Sequence, residues 1–332
     1  MAVNIYDIAK KTGLSVVTVS RVLNNNPRVR QSNRIKVEEA IKELDYRPNA
    51  AARSLSSGKT GMIALVVPHL ADAFIIQVMS SVEKALKDCE MFMVVVSAAS
   101  DADFSESVYA SLVMEGRVDG VIVLTPVYNT DYFFELKKRN IPVVLLDQHK
   151  VNLQAPTVSV DNFTGGYEAT MSLIKAGARK VAHISGSEHF ESSQERMRGY
   201  IEALRDSGIE PDNNLIVKGD FTVACGFEAV QGWVTSGSLP DAVFAADDNT
   251  AFGVLNAAQS FGISVPKQLA VIGYDDHPFA SMLRPRLSTV KQPAEEIGDS
   301  GVQLLMDIIN KKPRRSSKVT LKPTVILRET TL

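Results

Sequence analysis

The sequence predicts an all-α helix-turn-helix head followed by an α/β core of two doubly wound parallel-sheet subdomains. Three observations support this fold class. Apolar residues near the N-terminus recur with helical spacing in three short bursts. From residue 62 onward, short continuous apolar runs alternate with helical stretches. With 332 residues, the chain is also too long for one ordinary domain.

Capping and breaking residues bound the three helices of the head. Asn4 can cap the first helix, with Asp7 completing a capping box three positions later. Ser15 is predicted to cap a second helix, which ends at the breaker 24–27. Ser32 is predicted to open the third. Two short helices joined by a tight turn, with a third helix behind them, are typical of a helix-turn-helix unit.

The core contains about four buried strands in each half. A run that is apolar on both faces indicates a strand covered by helices on both sides, as in parallel βαβ units. The predicted strands lie at residues 62–68, 91–98, 120–126, 143–147, 181–186, 215–219, 243–247 and 269–275.

Several of these runs end in polar residues. Examples are His69, Asp147, the pair Asp247-Asp248 and the pair Asp275-Asp276. Ligands of doubly wound sheets bind at the carboxyl ends of the strands, so we expect these side chains near a ligand site.

Charge is divided unevenly along the chain. The formal net charge is only −2, yet residues 1–59 hold 11 Lys and Arg against 5 Asp and Glu, and the rest holds 25 against 33. A basic head on an acidic body favours contact of the head with phosphate. Scattered solvated charge is the alternative explanation.

Composition excludes several other classes of protein. No export signal and no long apolar run is present, so we expect a cytoplasmic protein without membrane contact. Cys89 and Cys225 show no metal-ligand or redox spacing, and no cofactor or metal is expected. Nucleophile-elbow, phosphate-loop and dinucleotide motifs are absent. Ser185 to His189 holds Ser, Glu and His, but sequence adjacency is not catalytic geometry, so we expect no enzyme.

Short motifs in both parts resemble the LacI/GalR family of transcription regulators. In the head these are Ile5-Tyr6-Asp7-Ile8-Ala9, Thr18 to Asn24, Tyr46-Arg47-Pro48-Asn49 and Ala52-Arg53-Ser54-Leu55. In the core they are Ile141 to Val144 before Asp147, Val160-Asp161-Asn162, Asp247-Asp248-Asn249 and Val271 to Asp276. The resemblance therefore spans the whole chain.

The resemblance implies a sequence-specific DNA-binding regulator, most simply a repressor. It implies a homodimer that binds a near-palindromic double-stranded operator, and a periplasmic-binding-protein-like core that binds a small effector such as a sugar. The implied organisation is a DNA-binding domain at 1–48, a hinge helix and linker at 49–60, and an effector-binding core at 61–332. Within the core, the first subdomain would hold about 61–160 plus 291–320, and the second about 161–290 plus 321–332.

The second helix carries the predicted base-reading face. Val17, Ser20 and Arg21 share a helix face opposite the inward Val19. Arg21 can donate two hydrogen bonds to guanine, whereas Val16 and Val17 can make only apolar contact with thymine methyl groups. Packing inside the head is the alternative role of the two valines.

Other residues of the head are suited to phosphate or to the minor groove. Thr18, Ser20, Asn24 and Tyr46 can bind phosphate, which fixes register without reading sequence. By resemblance, Leu55 of the hinge helix enters the minor groove at the operator centre. A flexible tether is the alternative for this segment. The predicted DNA-binding residues are Ser15, Val16, Val17, Thr18, Ser20, Arg21, Asn24, Tyr46, Asn49, Ala52 and Leu55.

By resemblance, the effector lies between the two subdomains. Carboxylates accept from sugar hydroxyls, an arginine donates two parallel bonds, and aromatic faces cover the C–H side of a sugar ring. The predicted effector-binding residues are Phe74, Asp147, Asp161, Arg196, Phe221, Asp247, Asp275 and Gln292.

Some choices at this site stay open from the sequence. Asp247 stands where the family often has Asn, which removes a donor and favours ligands rich in hydroxyl donors. The aspartates have helix capping as an alternative role, and Arg198 is an alternative to Arg196. A regulator that responds to a phosphorylated carrier protein, of the catabolite-control type, is a further alternative. A solute-binding protein or an enzyme fits less well.

Overall fold

In the computed structural model, the chain divides into two compact units. The described residues are 3–23, 26–46, 58–68, 70, 72–97, 115–124, 136–147, 155–312 and 317–331. The first unit comprises Met1–Met62 with Arg117–Asp119, and the second comprises Ile63–Gly116 with Gly120–Leu332.

The first unit contains the three-helix head. Its helices are α1 (Ile5–Thr12), α2 (Val16–Leu23) and α3 (Gln31–Glu43). The Asn4 side chain accepts from the backbone N–H groups of Tyr6 and Asp7, and the Asp7 carboxylate accepts from the Asn4 N–H, so the predicted capping box is present. The small apolar core of the head consists of Ile8, Ala9, Val19, Val22, Val37 and Ala40.

The start of α3 differs from the prediction. Ser32 lies inside the helix, and the residue at the N-cap position is Arg30, whose side chain makes no cap. The backbone explains the difference, because the Arg30 carbonyl already accepts from the N–H groups of Asn33 and Arg34. The chain therefore enters the helix earlier than a search for capping side chains indicates.

The second unit holds two subdomains, each built on a parallel sheet. The first subdomain contains a six-stranded sheet in the order β11-β5-β4-β3-β1-β2, and the second contains a four-stranded sheet in the order β7-β6-β8-β9. A short antiparallel pair, β10 and β12, joins the second. The strands are β1 (Met62–Val67), β2 (Phe92–Ser97), β3 (Gly120–Leu124), β4 (Val143–Leu146), β5 (Thr157–Val160), β6 (Val181–Ile184), β7 (Ile216–Val217), β8 (Ala242–Ala245), β9 (Ala270–Ile272), β10 (Thr289–Lys291), β11 (Lys318–Leu321) and β12 (Thr324–Ile326).

Helices cover these sheets and follow the strands that they connect. Among the described residues of the second unit, the helices are α4 (Ala73–Asp88), α5 (Asn162–Lys175), α6 (Glu191–Asp206), α7 (Val223–Ser236), α8 (Asp248–Ser260) and α9 (Ala294–Ile309). The chain crosses between the subdomains after β5, after β10 and after β11. Helix α9 therefore packs on α4 and the first sheet, while β12 pairs with β10 beside the second.

The doubly wound α/β architecture is as predicted, but the first sheet is larger than expected. Strands β5 and β11 were not predicted, and they pair with each other in register from Thr157–Lys318 to Val160–Leu321. The carboxyl ends of β4, β8 and β9 are followed by Asp147, Asp247 and Asp275. Parallel strands thus deliver these three carboxylates to the edges where ligands bind.

Candidate functional site

The outward face of α2 carries most of the predicted DNA-reading residues. Val19 and Val22 are buried in the head, whereas Ser15 and Arg21 are exposed and Val17 is 59% exposed. Val17 is not part of the apolar core of the head and has no packing role there. The face therefore combines a charged bidentate donor with an exposed apolar contact.

Three other predicted residues of the head also have structural roles. Val16 packs partly against the core of the head, as does Tyr46. The Thr18 hydroxyl lies 2.9 Å from the Ser15 hydroxyl, which itself accepts from the Thr18 N–H at 3.2 Å. Ser20 is half-buried. The remaining predicted contacts, Asn24, Asn49, Ala52 and Leu55, lie outside the described residues.

A cavity of about 450 Å³ lies between the two subdomains of the second unit. This volume is within the range of small-molecule sites, roughly 300–1,000 Å³. Seven of the eight predicted effector-binding residues line it: Phe74, Asp147, Arg196, Phe221, Asp247, Asp275 and Gln292. The residues that the sequence predicts at strand ends therefore meet at one cavity.

Asp161 is the exception, because its carboxylate does not line the cavity. It lies at the N-terminus of α5, where it accepts hydrogen bonds from the Thr164 N–H at 2.9 Å and the Thr164 hydroxyl at 2.7 Å. The helix-capping role that the sequence left open is the one this residue has.

Arg196 is the buried cation at the base of the cavity, and it is 3% exposed. Its Nε donates to Asn162 Oδ1 at 2.9 Å, and one Nη donates to the Ala246 carbonyl at 2.7 Å. The guanidinium carbon lies 3.6 Å from the centre of the Tyr274 ring, a cation–π contact. These contacts fix the plane of the guanidinium before any ligand binds.

Arg198, the alternative to Arg196, points away from the cavity. Two residues along a helix differ by about 200° in direction, and the exposed Arg198 pairs with Glu195 at 2.7 Å. The structure thus favours Arg196 as the ligand-facing arginine.

Asp275 and Gln292 extend the polar network from Arg196. The second Nη of Arg196 lies 3.8 Å from Asp275 Oδ1, which also accepts from Gln292 Nε2 at 2.6 Å. Burial raises the pKa of Asp275 well above its usual value, and the Arg196 charge opposes that rise. The other amide atom of Gln292, Oε1, is buried and has no hydrogen-bond partner within the described chain.

Three further aspartates bind helix or turn N–H groups with one oxygen each. Asp72 Oδ1 accepts from the Phe74 and Ile75 N–H groups at the start of α4. Asp247 Oδ1 accepts from the N–H and hydroxyl of Thr250 at the start of α8. Asp220 Oδ1 accepts from the N–H and hydroxyl of Thr222, just before α7.

Aromatic rings form the apolar wall. Phe190 and Phe221 meet edge to face, with ring centres 5.4 Å apart, and Phe74 lies on the side of the first subdomain. Gly186 makes room for Phe221, because a Cβ at that position would lie 1.9 Å from its ring. The observed position of the Phe221 ring therefore requires glycine at residue 186.

Backbone strain is concentrated at this cavity. Asp147, Phe221 and Asp275 line it and have φ values of 55°, 66° and 105°. Residues other than glycine rarely adopt such values, and they cluster at binding sites in proteins. The strain aims these side chains into the space between the subdomains.

The sequence-based prediction missed other polar and aromatic lining residues. These are Asp72, Phe190, Ser192, Asp220, Thr222 and Asn249. A weak signal existed for some of them, because Asp72 and Asp220 follow predicted strands and Asn249 follows the Asp247-Asp248 pair. Nothing in the sequence distinguishes these positions from ordinary helix-capping residues.

The described residues offer neither a metal-ion cluster nor a membrane-spanning helix. They include no cluster of three or more His, Cys, Asp or Glu side chains that could hold a metal ion. Within the same ranges, every helix is too short or too polar to cross a lipid bilayer.

Comparison with known proteins identifies the family. Residues 4–49 match "Bacterial regulatory proteins, lacI family", and residues 170–331 match "Periplasmic binding protein-like domain". Catabolite control protein A of Priestia megaterium is 34% identical over 332 residues, which is 100% of either chain. The chain belongs to the LacI family. It is a DNA-binding transcription regulator and not an enzyme.

Solved structures agree with this LacI-family assignment along the whole chain. A lac repressor dimer bound to operator and the anti-inducer ONPF matches with a TM-score of 0.90 and 26% identity, covering 100% of both chains. A complex of the transcriptional regulator CelR with cellobiose matches with a TM-score of 0.76 and 30% identity, covering 99% of both chains.

Proposed function

We propose that this LacI-family regulator is a cytoplasmic repressor that binds a near-palindromic operator as a homodimer. A sugar that binds between the core subdomains either weakens or strengthens this operator binding. The observation that carries the effector assignment is the 450 Å³ cavity, with the buried Arg196 at its base. The observation that carries the operator assignment is the exposed Val17 and Arg21 face of α2.

Operator binding as a dimer is supported by a similar solved structure and by the positive charge of the head. The similar lac repressor is a dimer bound to operator. A two-fold dimer places two recognition helices on successive half-sites, so a palindrome is the expected target. The excess of Lys and Arg over residues 1–59 supplies the phosphate contacts.

The operator proposal is tested by selection of binding sites from random double-stranded DNA. We expect a palindrome to be enriched and its affinity to fall steeply with salt, because bound cations release counterions from the duplex. Sequences without two-fold symmetry after selection, or an affinity indifferent to salt, would contradict the proposal.

A sugar fits the polar groups of the cavity better than a purine or a phosphorylated ligand does. Carboxylates and Gln292 Oε1 accept from hydroxyl groups, and Phe190 and Phe221 offer apolar ring surface. Five aspartates line the cavity with one arginine, so a phosphate group would be repelled. The similar regulator CelR was crystallised with cellobiose, which is a sugar.

Binding between the subdomains couples the effector to DNA through their relative position. A ligand that touches both subdomains favours the closed arrangement only by its difference in affinity for the closed and open states. By linkage, the same free energy changes the affinity for operator.

The effector proposal is tested by calorimetric titration with neutral sugars, sugar phosphates and purines. Arg196→Ala is expected to abolish sugar binding, whereas Arg198→Ala, on the same helix but outside the cavity, is the matched control. Because Arg196→Ala leaves Asp275 without its buried cation, Phe221→Ala provides a second variant that keeps the ion pair. Tight purine binding, or sugar binding unchanged in both cavity variants, would overturn the assignment.

A second candidate is a regulator of the catabolite-control type, which responds to a phosphorylated carrier protein. It is favoured by the 34% identity with Catabolite control protein A over the full length. Operator affinity measured with phosphorylated and unphosphorylated carrier protein separates the two candidates. Under the sugar proposal, neither form of the carrier changes the affinity.

A further inference from the structure

The cavity is more acidic than a neutral ligand requires. Asp72, Asp147, Asp220, Asp247 and Asp275 line it, and Arg196 is the only cation among the described lining residues. The guanidinium is also committed to other groups, because it donates to Asn162 and Ala246 and lies near Asp275. Its charge is therefore shared with one aspartate already.

Three of the carboxylates use only one of their two oxygens as a hydrogen-bond acceptor within the described chain. Asp72, Asp220 and Asp247 each use Oδ1 for a helix or turn N–H group, and the Oδ2 of each has no hydrogen-bond partner in the described chain. The helix N-termini at Asp72 and Asp247 offset part of the negative charge, equivalent to about half an elementary charge per helix. A surplus of negative charge remains at both positions.

These charges face each other across the boundary between the subdomains. Asp72 precedes α4 of the first subdomain, while Asp247 precedes α8 of the second. Asp72 is close enough to raise the pKa of both Asp247 and Asp275, although burial is the larger cause for each. Like charges on the two sides of the cavity oppose closure of the two subdomains.

A metal ion is not the natural counter-charge here. The described carboxylates do not come together in a group of three that could coordinate one. A cation with several N–H groups can instead donate to carboxylates on both sides of the cavity. Gln292 also lines the cavity and is 2% exposed, and its Oε1 has no partner in the described chain, so this oxygen is one more acceptor for a ligand rich in donors.

We propose that the effector of this regulator is an amino sugar, whose ammonium group lies between Asp72 and Asp247 and joins the two subdomains. The proposal rests on the sugar-binding function proposed above and narrows its ligand class. The hydroxyl groups of the ligand face Gln292 and Arg196, and one ring face lies against Phe221. The ammonium replaces repulsion between the subdomains by attraction, so this ligand closes the cavity where its neutral parent does not.

The test is calorimetric titration of the full chain with matched pairs of ligands at pH 7. D-glucose, D-galactose, D-mannose and cellobiose are each compared with the 2-amino counterpart, and the N-acetylated form of each amino sugar serves as an uncharged nitrogen control. We expect at least one amino sugar to bind about tenfold or more tightly than both its neutral parent and its acetylated form, with an affinity that decreases as salt increases.

Variants locate the ammonium group. Asp72→Asn and Asp247→Asn keep a side-chain oxygen for the helix N-terminus and remove the charge, because Asn is as good an N-cap as Asp. We expect each variant to bind the amino sugar no more tightly than the neutral parent. Asp212→Asn is the control, since Asp212 caps a short 3₁₀ helix of the second subdomain and is exposed.

The outcomes distinguish the amino-sugar proposal from the broader proposal that the effector is a sugar. Neutral sugars that bind as tightly as their amino counterparts, or a preference that survives both cavity variants, would overturn the amino-sugar proposal and leave sugar sensing intact. Binding of purines alone would overturn both proposals. A panel in which no amino sugar binds counts against the amino-sugar proposal, whatever else binds.

Discussion

Asp247 provides a sharp test of how this cavity is built. The residue is 3% exposed, and burial raises the pKa of its carboxyl from 3.8 to about 6. Hydrogen bonds from Thr250 favour the ionised form but do not outweigh burial. Asp247→Asn keeps an acceptor for the N–H and hydroxyl of Thr250 and removes the charge. We expect the variant to be more stable than the wild type at neutral pH.

The sign and size follow from proton linkage. Between pH 4 and 6, the folded chain holds a proton on Asp247 that the unfolded chain has lost, so the free energy of unfolding falls as pH rises. Above pH 6 both states are ionised and the full cost of burying the charge is present. A pKa difference of about two units corresponds to about 3 kcal/mol. The stabilisation by Asn should thus be near zero at pH 4 and about 3 kcal/mol at pH 7.

His183 acts in the opposite direction over part of the same range. It is fully buried, and burial lowers its pKa to about 4, so its contribution to stability is lost as pH falls from 6.5 towards 4. Wild type and variant share this residue. The difference between them therefore isolates Asp247, whereas the pH profile of either protein alone does not.

Urea unfolding of the full chain, followed by circular dichroism from pH 4.5 to 8, measures this difference. Asp212→Asn, a change of the same chemistry at an exposed cap, is the control for the substitution itself. A stabilisation by Asp247→Asn that does not grow between pH 4.5 and 7, or a loss of stability at pH 7, would refute the reasoning.

Further predictions concern the two binding surfaces and the buried histidine. Arg21→Ala should cost about 1–3 kcal/mol of operator affinity and relax the preference at one base pair per half-site, measured by binding to a set of single-base operator variants; an equal loss on all sequences would place Arg21 on phosphate instead. Leu55→Ala should reduce operator bending and discrimination, as measured by gel mobility of permuted fragments; unchanged bending would contradict the minor-groove role. Gly186→Ala should displace Phe221 and destabilise the fold by about 1–3 kcal/mol while weakening sugar binding, because the added Cβ would overlap the ring; a variant with wild-type melting and affinity would show that the ring is not fixed there. The ring of His183 should stay neutral down to about pH 5 in an NMR titration, and a midpoint near 6.5 would exclude the buried environment.

Local interactions explain why the head was predictable. The capping box of Asn4 and Asp7 and the inward Val19 and Val22 depend on residues within one or two helical turns. The start of α3 was missed because the helix begins after Arg30 through backbone hydrogen bonds alone. Such bonds do not require a particular side chain, so the sequence does not reveal them.

The larger sheet was only partly predictable for a different reason. Strands β5 and β11 have four residues each, and β11 is an edge strand whose Lys318 and Thr320 are exposed. Four residues are the shortest run over which the alternating pattern of a strand can be recognised. Their place in the first sheet depends on pairing over about 160 residues, such as Val158 with Val319. No local pattern encodes such a partner.

The residues of the binding cavity were also only partly predictable from the sequence. Asp147, Asp247 and Asp275 follow strongly apolar strands, so the sequence placed them at strand ends. Asp161 has the same local pattern but caps α5 outside the cavity, whereas Asp72 lines it. Which capping aspartate meets a ligand depends on how the two sheets face each other, and that is a property of the tertiary structure.

The cavity is therefore assembled from groups that already serve the fold. Asp72 and Asp247 satisfy the N–H groups at the start of α4 and α8 whether or not a ligand is bound. Asp247 costs stability as a buried charge, and Phe221 and Asp275 add backbone strain. A ligand that supplies the missing positive charge relieves part of this cost only when both subdomains contact it. Because a regulator responds only to the difference in ligand affinity between its states, unfavourable charge in the empty cavity increases the effect that the correct ligand has on operator binding.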